Sequence, residues 1–371
     1  MPLSVHTTTH PLAYRIEANL TKPVDQSVFG LVFYGRADRV RILNCYLERN
    51  LVEQGGWLDE VHFVRNTENA TDLAYLDELL RKHSRYKIID INSTLASEVN
   101  DRYKAAWRQL QRDTIYVKID DDVVWLADDA IPRMVSRKFN QDDYLVVSAS
   151  VINSPLMSKV HLDAGAYHPY LPAHATSTPK KVLARLTKGK ASGRTSWQYN
   201  QYPIWEGPSN YTLHDDDSSN SSFPVWLRLP EENLNKTPAQ GIEYNSWGSS
   251  WSSWRIAAQS HLSLLENLYH GNTSLYFSNL DEEVWFTQPD RLSVNVIAIF
   301  SNDILDNMPD DAFDDEEWLT VTLPGQQGKR VGVETRALAA HFAFGAQSQV
   351  ESTDILARYQ DRARQMACLK I

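Results

Sequence analysis

The chain is poor in the features that mark several large protein classes. Its 371 residues include only two cysteines, Cys45 and Cys368, far apart in sequence. Neither a disulfide framework nor a cysteine-built zinc site is therefore expected. No apolar run is long enough to cross a bilayer, and the first residues lack the basic-then-apolar pattern of a signal peptide. A basic excess is missing too: the formal charge is −10, which argues against a general nucleic-acid binder. Neither G-x-G-x-x-G nor G-x-x-x-x-G-K-S/T occurs, which disfavours dinucleotide and P-loop chemistry. These absences lead to the expectation of a cytoplasmic chain with no membrane span and no nucleic-acid partner. Seven Asn-x-Ser/Thr triplets, at Asn19, Asn69, Asn92, Asn210, Asn220, Asn235 and Asn272, pull toward a secretory lumen instead. Such triplets also arise by chance, and they matter only in that compartment.

What is present suits a globular enzyme. Hydrophobic residues make up 42% and charged residues 23%, enough apolar material for a sizeable core. Val28–Tyr34 is a short apolar run that reads as a buried strand, and Arg36–Glu53 has helical spacing closed by Gly55 and Gly56. Strand-like Glu60–Val64 and Tyr86–Ile91 alternate with helical Asp72–His83 and Ser97–Leu110. This alternation predicts βα units and a mostly parallel sheet, whose ligands gather at the carboxyl ends of the strands. Tyr144–Ser150 reads as another strand. Residues 163–255 are rich in Pro, Ser, Tyr, Trp and His, which suits loops and a recognition surface. Further on, Ser253–Tyr269, Glu334–Ala343 and Asp354–Cys368 are predicted helices, while Leu292–Phe300 and Trp318–Leu323 are predicted strands.

The most informative stretch is Ile115-Tyr-Val-Lys-Ile-Asp120-Asp121-Asp122-Val-Val-Trp-Leu126. Three carboxylates interrupt an apolar, β-branched segment, and burying them without compensation is prohibitive. A cation is implied. Oxygen ligands with no cysteine nearby favour a hard divalent ion, Mn²⁺ or Mg²⁺. Asp120 and Asp122 share one side because side chains alternate along extended backbone. A second acidic segment, from Asp303 to Glu317, reads as a solvated loop.

An aspartate triplet at a strand end, after Val-Lys-Ile and a series of βα units, resembles the DXD motif of GT-A glycosyltransferases. The resemblance covers residues 28–150 well; beyond them only His341 and the Asp281 cluster are similar to the family. It implies an α/β fold of GT-A type: a mixed, mostly parallel sheet flanked by helices, with a loop-rich acceptor-binding half. Residues 1–27 would form an N-terminal arm, 28–150 the nucleotide-sugar half, 151–350 the acceptor half and 351–371 a C-terminal helix. The implied activity is metal-dependent transfer of a sugar from a UDP- or GDP-sugar to a hydroxyl acceptor, a small molecule, lipid or glycan. Asp122 would be the main metal ligand, with Asp120 and Asp121 shared among metal, ribose and donor sugar, and His341 completing the metal shell. A core histidine bonded to a carbonyl is the structural alternative for His341.

Tyr34, Gly35, Arg36 and Arg39 stand where that fold holds base, ribose and diphosphate; aromatic stacking and guanidinium charge at a helix start fit both roles. Asp90, ending the third predicted strand, is placed for the base or ribose. Asp281, Glu282 and Glu283 are candidate bases for an inverting reaction, and the sequence does not rank them. Trp247, Trp251 and Trp254 are candidates for stacking a sugar ring or for core packing. Two alternatives remain: a nucleotidyltransferase, though residues 28–41 lack its Gly-rich basic loop, and a catalytically silent sugar-binding protein with a structural cation.

Overall fold

The computed structural model describes residues 20–91, 98–172, 202, 204–205, 226–277, 285–286, 291–311 and 313–368. Strand β1 (Ser27–Tyr34) is followed by α1 (Ala37–Asn50), β2 (Glu60–Arg65), α2 (Ala70–Lys82), β3 (Tyr86–Ile89), α3 (Val99–Trp107) and β4 (Thr114–Asp120). β1 pairs in parallel with β2 and with β4, and β2 in parallel with β3. The alternation read from sequence thus builds three consecutive βα units.

Both faces of this sheet are covered, so its strands are apolar throughout rather than alternating with polar residues. Along β1, Val28, Val32 and Tyr34 enter one core cluster, while Phe29, Leu31 and Phe33 enter the other. The two-residue period of a strand divides its side chains between the layers.

Past the aspartates, β5 (Val123–Leu126), α4 (Ala130–Asn140), β6 (Tyr144–Ile152) and α5 (Pro155–Asp163) follow. β7 (Tyr170–Pro172) and β8 (Trp226–Arg228) form a separate two-stranded ribbon. β9 (Trp285–Phe286), β10 (Val296–Phe300) and β11 (Arg330–His341) return to the main sheet, whose order is β3-β2-β1-β4-β10-β6-β11-β5 with β9 on β11. β10 lies antiparallel to both β4 and β6. β11 is parallel to β6 and antiparallel to β5. The architecture is the mixed, mostly parallel α/β sheet of GT-A type expected from the sequence. Strands from beyond residue 150 complete it, so the two expected halves share one sheet.

Three expectations are corrected. Glu334–Ala343, read as helix for its Ala and Leu content, is mostly the end of β11. Helix propensity is worth at most about 1 kcal/mol per residue for such residues, and pairing on both edges within a buried sheet outweighs it. Trp318–Leu323, read as strand, is instead a π-helical turn, Trp318–Thr322, leading into the helix Leu323–Gln327. Finally, Cys45 on α1 and Cys368 form a disulfide across 323 residues of sequence. Sequence distance hid this, because the helix Ile355–Met366 packs back against α1. No helix among the described residues is long and apolar enough to cross a membrane.

Candidate metal and substrate site

The carboxyl ends of β1 and β4 open into a cavity of about 480 Å³. The chain turns at Asp120–Val123, leaving β4 beside β10 and entering β5 at the far side of β11. β11 then carries His341 to the start of β5: His341 pairs with Val123, and the Phe342 N–H donates to the Asp122 carbonyl at 2.9 Å. The register shifts at Ala340–His341, a bulge of the kind that re-aims a side chain. His341 Nε2 lies 3.2 Å from Asp122 Oδ1. Asp120, Asp122 and His341 each offer a ligand atom within 4.8 Å of the others, a group that could hold a metal ion.

Each acid of the triplet has its own support. Lys118, buried two residues earlier on β4, donates to Asp120 and to the Val294 carbonyl, and Asn295 Nδ2 donates to Asp120 at 3.0 Å. Asp121 turns the other way. It accepts the Gly35 N–H at 2.9 Å and the Arg36 guanidinium, tying the end of β4 to the end of β1. A Cβ on Gly35 would stand 3.0 Å from Asp121 Oδ2, so this approach favours glycine. Arg36 Nη2 also reaches Asp122 at 3.0 Å.

Electrostatics separates the acids. Burial pushes Asp122 upward, but His341, Arg36 and Arg39 outweigh it and hold the carboxylate well below its ordinary range. Asp121 is raised, by burial first and by its two acidic neighbours, against the pull of Arg36. Burial disfavours the charged form of Lys118, and Asp120 and Asp315 more than compensate. An ionised Asp122 beside an imidazole, with Asp120 opposite, is an oxygen-and-nitrogen donor set suited to Mn²⁺ or Mg²⁺. Three buried polar atoms among the lining residues, Asn66 Oδ1, Asn295 Oδ1 and His341 Nδ1, have no hydrogen-bond partner, as expected where a ligand is to supply one.

The structure gathers some of the sequence candidates and not others. Gly35, Arg36, Asp120, Asp121, Asp122 and His341 line the cavity. Tyr34 is buried beneath it, its hydroxyl donating to the Asp72 carbonyl at 2.6 Å. Arg39 is buried against Phe342 and paired with Glu351. Asp90 pairs with Arg65 at 2.8 Å. None of these three lines the cavity. Asp281, Glu282 and Glu283 lie outside the described residues.

Sequence reasoning missed Asp315 and Glu316. Assigned to a solvated acidic loop, both line the cavity. Asp315 is buried, and burial raises it despite Lys118. Glu316 is half-buried and likewise raised by burial, although Arg291 Nε donates to it at 2.8 Å. The available signal was that this acidic run abuts Trp318-Leu319, which pack into the core. Tyr103 on α3, its hydroxyl pushed up to about 12 by burial, completes this wall. Among the other histidines, His161 and His261 are buried core residues bonded to Ser150 and to Tyr359 and the Phe342 carbonyl.

The sequence matches no protein-family model, and no curated protein matches it. Among solved structures, the chain is similar to GalNAc-T7 with UDP, GalNAc and Mn²⁺, at 9% identity over 86% of this chain and 44% of that chain, TM-score 0.42. It is also similar to glucosyl-3-phosphoglycerate synthase from Mycobacterium tuberculosis with Mn²⁺, UDP and phosphoglyceric acid, at 11% identity over 34% of this chain and 44% of that one, TM-score 0.27. A mannosyltransferase from Pyrobaculum calidifontis with GDP-Man and Mn²⁺ matches at 15% identity over 70% and 72% of the chains, TM-score 0.29. The chain thus spans less than half the length of the first two. With TM-scores below 0.5, the fold class rests on the strand order itself. In that order, and in its Asp-Asp-His group, the chain resembles GT-A glycosyltransferases.

Proposed function

We propose that the chain is a metal-dependent glycosyltransferase that moves a sugar from a nucleoside-diphosphate sugar, UDP- or GDP-linked, to a hydroxyl acceptor. The observation that carries this reading is the gathering of Asp120, Asp122 and His341 at one cavity with Arg36 on one side and two raised carboxylates on the other. A divalent cation held by Asp120, Asp122 and His341 would neutralise the charge that develops on a leaving diphosphate. Arg36 adds a guanidinium beside the same acids, at the entry to α1, where a phosphate is favoured. Asn66 and Tyr103 offer polar edges for the base and ribose.

Glu316 is the assigned general base. Of the neighbouring pair Asp315 and Glu316 it is the one that keeps partial access to solvent, and its raised pKa favours accepting a proton. Glu316 would take the acceptor hydroxyl's proton as that oxygen bonds to the anomeric carbon and the bond from that carbon to the diphosphate oxygen breaks. Asp315, deeper and beside Lys118, is a positioning residue. This arrangement favours an inverting outcome.

Incubation with Mn²⁺ and a panel of UDP- and GDP-sugars tests the reading. Free nucleoside diphosphate supports it, while release of pyrophosphate from nucleoside triphosphates and sugar phosphates points to a nucleotidyltransferase instead.

A further inference from the structure

Trp247 is the one tryptophan among the described residues that stands largely in water, 64% exposed. Leaving a large apolar side chain exposed forgoes on the order of 2 kcal/mol of burial, yet this one is fixed rather than loose. The Trp251 ring meets it edge-on at 5.6 Å, and the Arg291 guanidinium lies 4.7 Å from its centroid. The Trp247 backbone N–H donates to Asn245 Oδ1 at 3.0 Å, and the neighbouring Ser246 hydroxyl donates to the Arg291 carbonyl at 2.8 Å. Arg291 is itself anchored, donating to Asp314 at 2.9 Å and to Glu316 at 2.8 Å. Glu316 lines the same cavity as Asp120, Asp122 and His341. A fixed, open indole therefore sits one guanidinium away from the carboxylate assigned as the base.

We propose that Trp247, braced by Trp251 and Arg291, is the platform on which a sugar ring of the acceptor stacks, so that the acceptor is a glycan or glycoside. The inference rests on the donor-site reading above and narrows its acceptor. Sugars present an apolar C–H face and a polar rim, and the surface here offers both: an exposed aromatic ring with the Arg291 guanidinium over it, Asp314 paired to that guanidinium and Asn245 beside the Trp247 backbone. The charged rim is unsuited to a lipid chain. An extended apolar protein interface would need neighbouring exposed apolar groups, and Trp251 is already half-buried.

Saturation-transfer NMR on the full chain loaded with UDP and Mg²⁺ tests this, with methyl hexosides and disaccharides as probes and glycerol and 1-hexanol as controls. At least one glycoside, and neither control, is expected to receive saturation on its ring protons. Its affinity should fall at least about tenfold in Trp247→Ala and be largely kept in Trp247→Phe, with the UDP-dependent thermal shift unchanged in both. Equal glycoside binding by Trp247→Ala, or no glycoside binding by a protein that shows the UDP shift, overturns the proposal. A wild-type protein without the UDP shift removes the donor-site reading, and this inference with it.

Discussion

His341 and Asp122 stand 3.2 Å apart although 219 positions separate them in sequence, because β11 runs antiparallel to β5 and places each at the same edge of the cavity. The neighbouring cations already hold Asp122 ionised, the form a metal needs. Asp122→Asn keeps the shape and removes the charge. The expected result is loss of at least about 100-fold in nucleotide-sugar turnover and of the Mn²⁺-dependent thermal shift, with far-UV circular dichroism unchanged.

Arg36 plays a second part. It bridges Asp121 and Asp122, so removing it leaves buried carboxylates short of a counter-ion. Its side chain is 43% exposed, so solvent screens part of the effect. Arg36→Ala is expected to lower metal-free stability by roughly 1–2 kcal/mol, with Mn²⁺ alone stabilising the variant more than it stabilises the wild type. Denaturant titration with and without Mn²⁺ measures both. An unchanged metal-free stability would show that Arg36 does not offset the acids.

Asp315 gives a pH-dependent test. Burial raises its folded-state pKa above the unfolded value, so the folded protein holds the proton more tightly. Above the folded pKa the ionised group costs stability; that cost fades as pH falls through the raised pKa and is gone below the unfolded value, about 3.9. Asp315→Asn is therefore expected to gain about 1 kcal/mol at pH 7, shrinking toward pH 4, while losing transferase activity. Thermal melts across that range check the sign. A variant destabilised at pH 7 contradicts the assignment.

The Cys45–Cys368 disulfide ties α1 to the C-terminal helix. Such bonds persist in oxidising compartments, and the described sequon residues Asn69, Asn235 and Asn272 are all exposed. Cys45→Ser, or reduction of the wild type, is expected to cost about 2–4 kcal/mol. Identical melting temperatures with and without reductant would show that the bond contributes nothing.

Much of this was legible in the chain. The βα alternation and the apolar run into Asp120–Asp122 specify strand ends, and strand ends in such sheets are where ligands gather. Gly35, Arg36 and His341 were named from the family resemblance, and all three line the cavity. The misses share a cause: they depend on contacts distant in sequence. Nothing local says that Ala337–His341 will be held in a sheet between β6 and β5, or that Cys368 reaches Cys45. Likewise Asp315 and Glu316 read as solvated acid until the core packing of Trp318 and Leu319 draws them inward. Arg39, chosen for its charge near a helix start, went to Glu351 instead.

Titration of Mn²⁺ by electron paramagnetic resonance, with and without UDP, tests the central claim most directly. The wild type is expected to bind one Mn²⁺ far more tightly when UDP is present, and both Asp122→Asn and His341→Ala to lose that UDP-linked binding. A wild type indifferent to UDP, or variants that bind Mn²⁺ and UDP as the wild type does, would contradict the account.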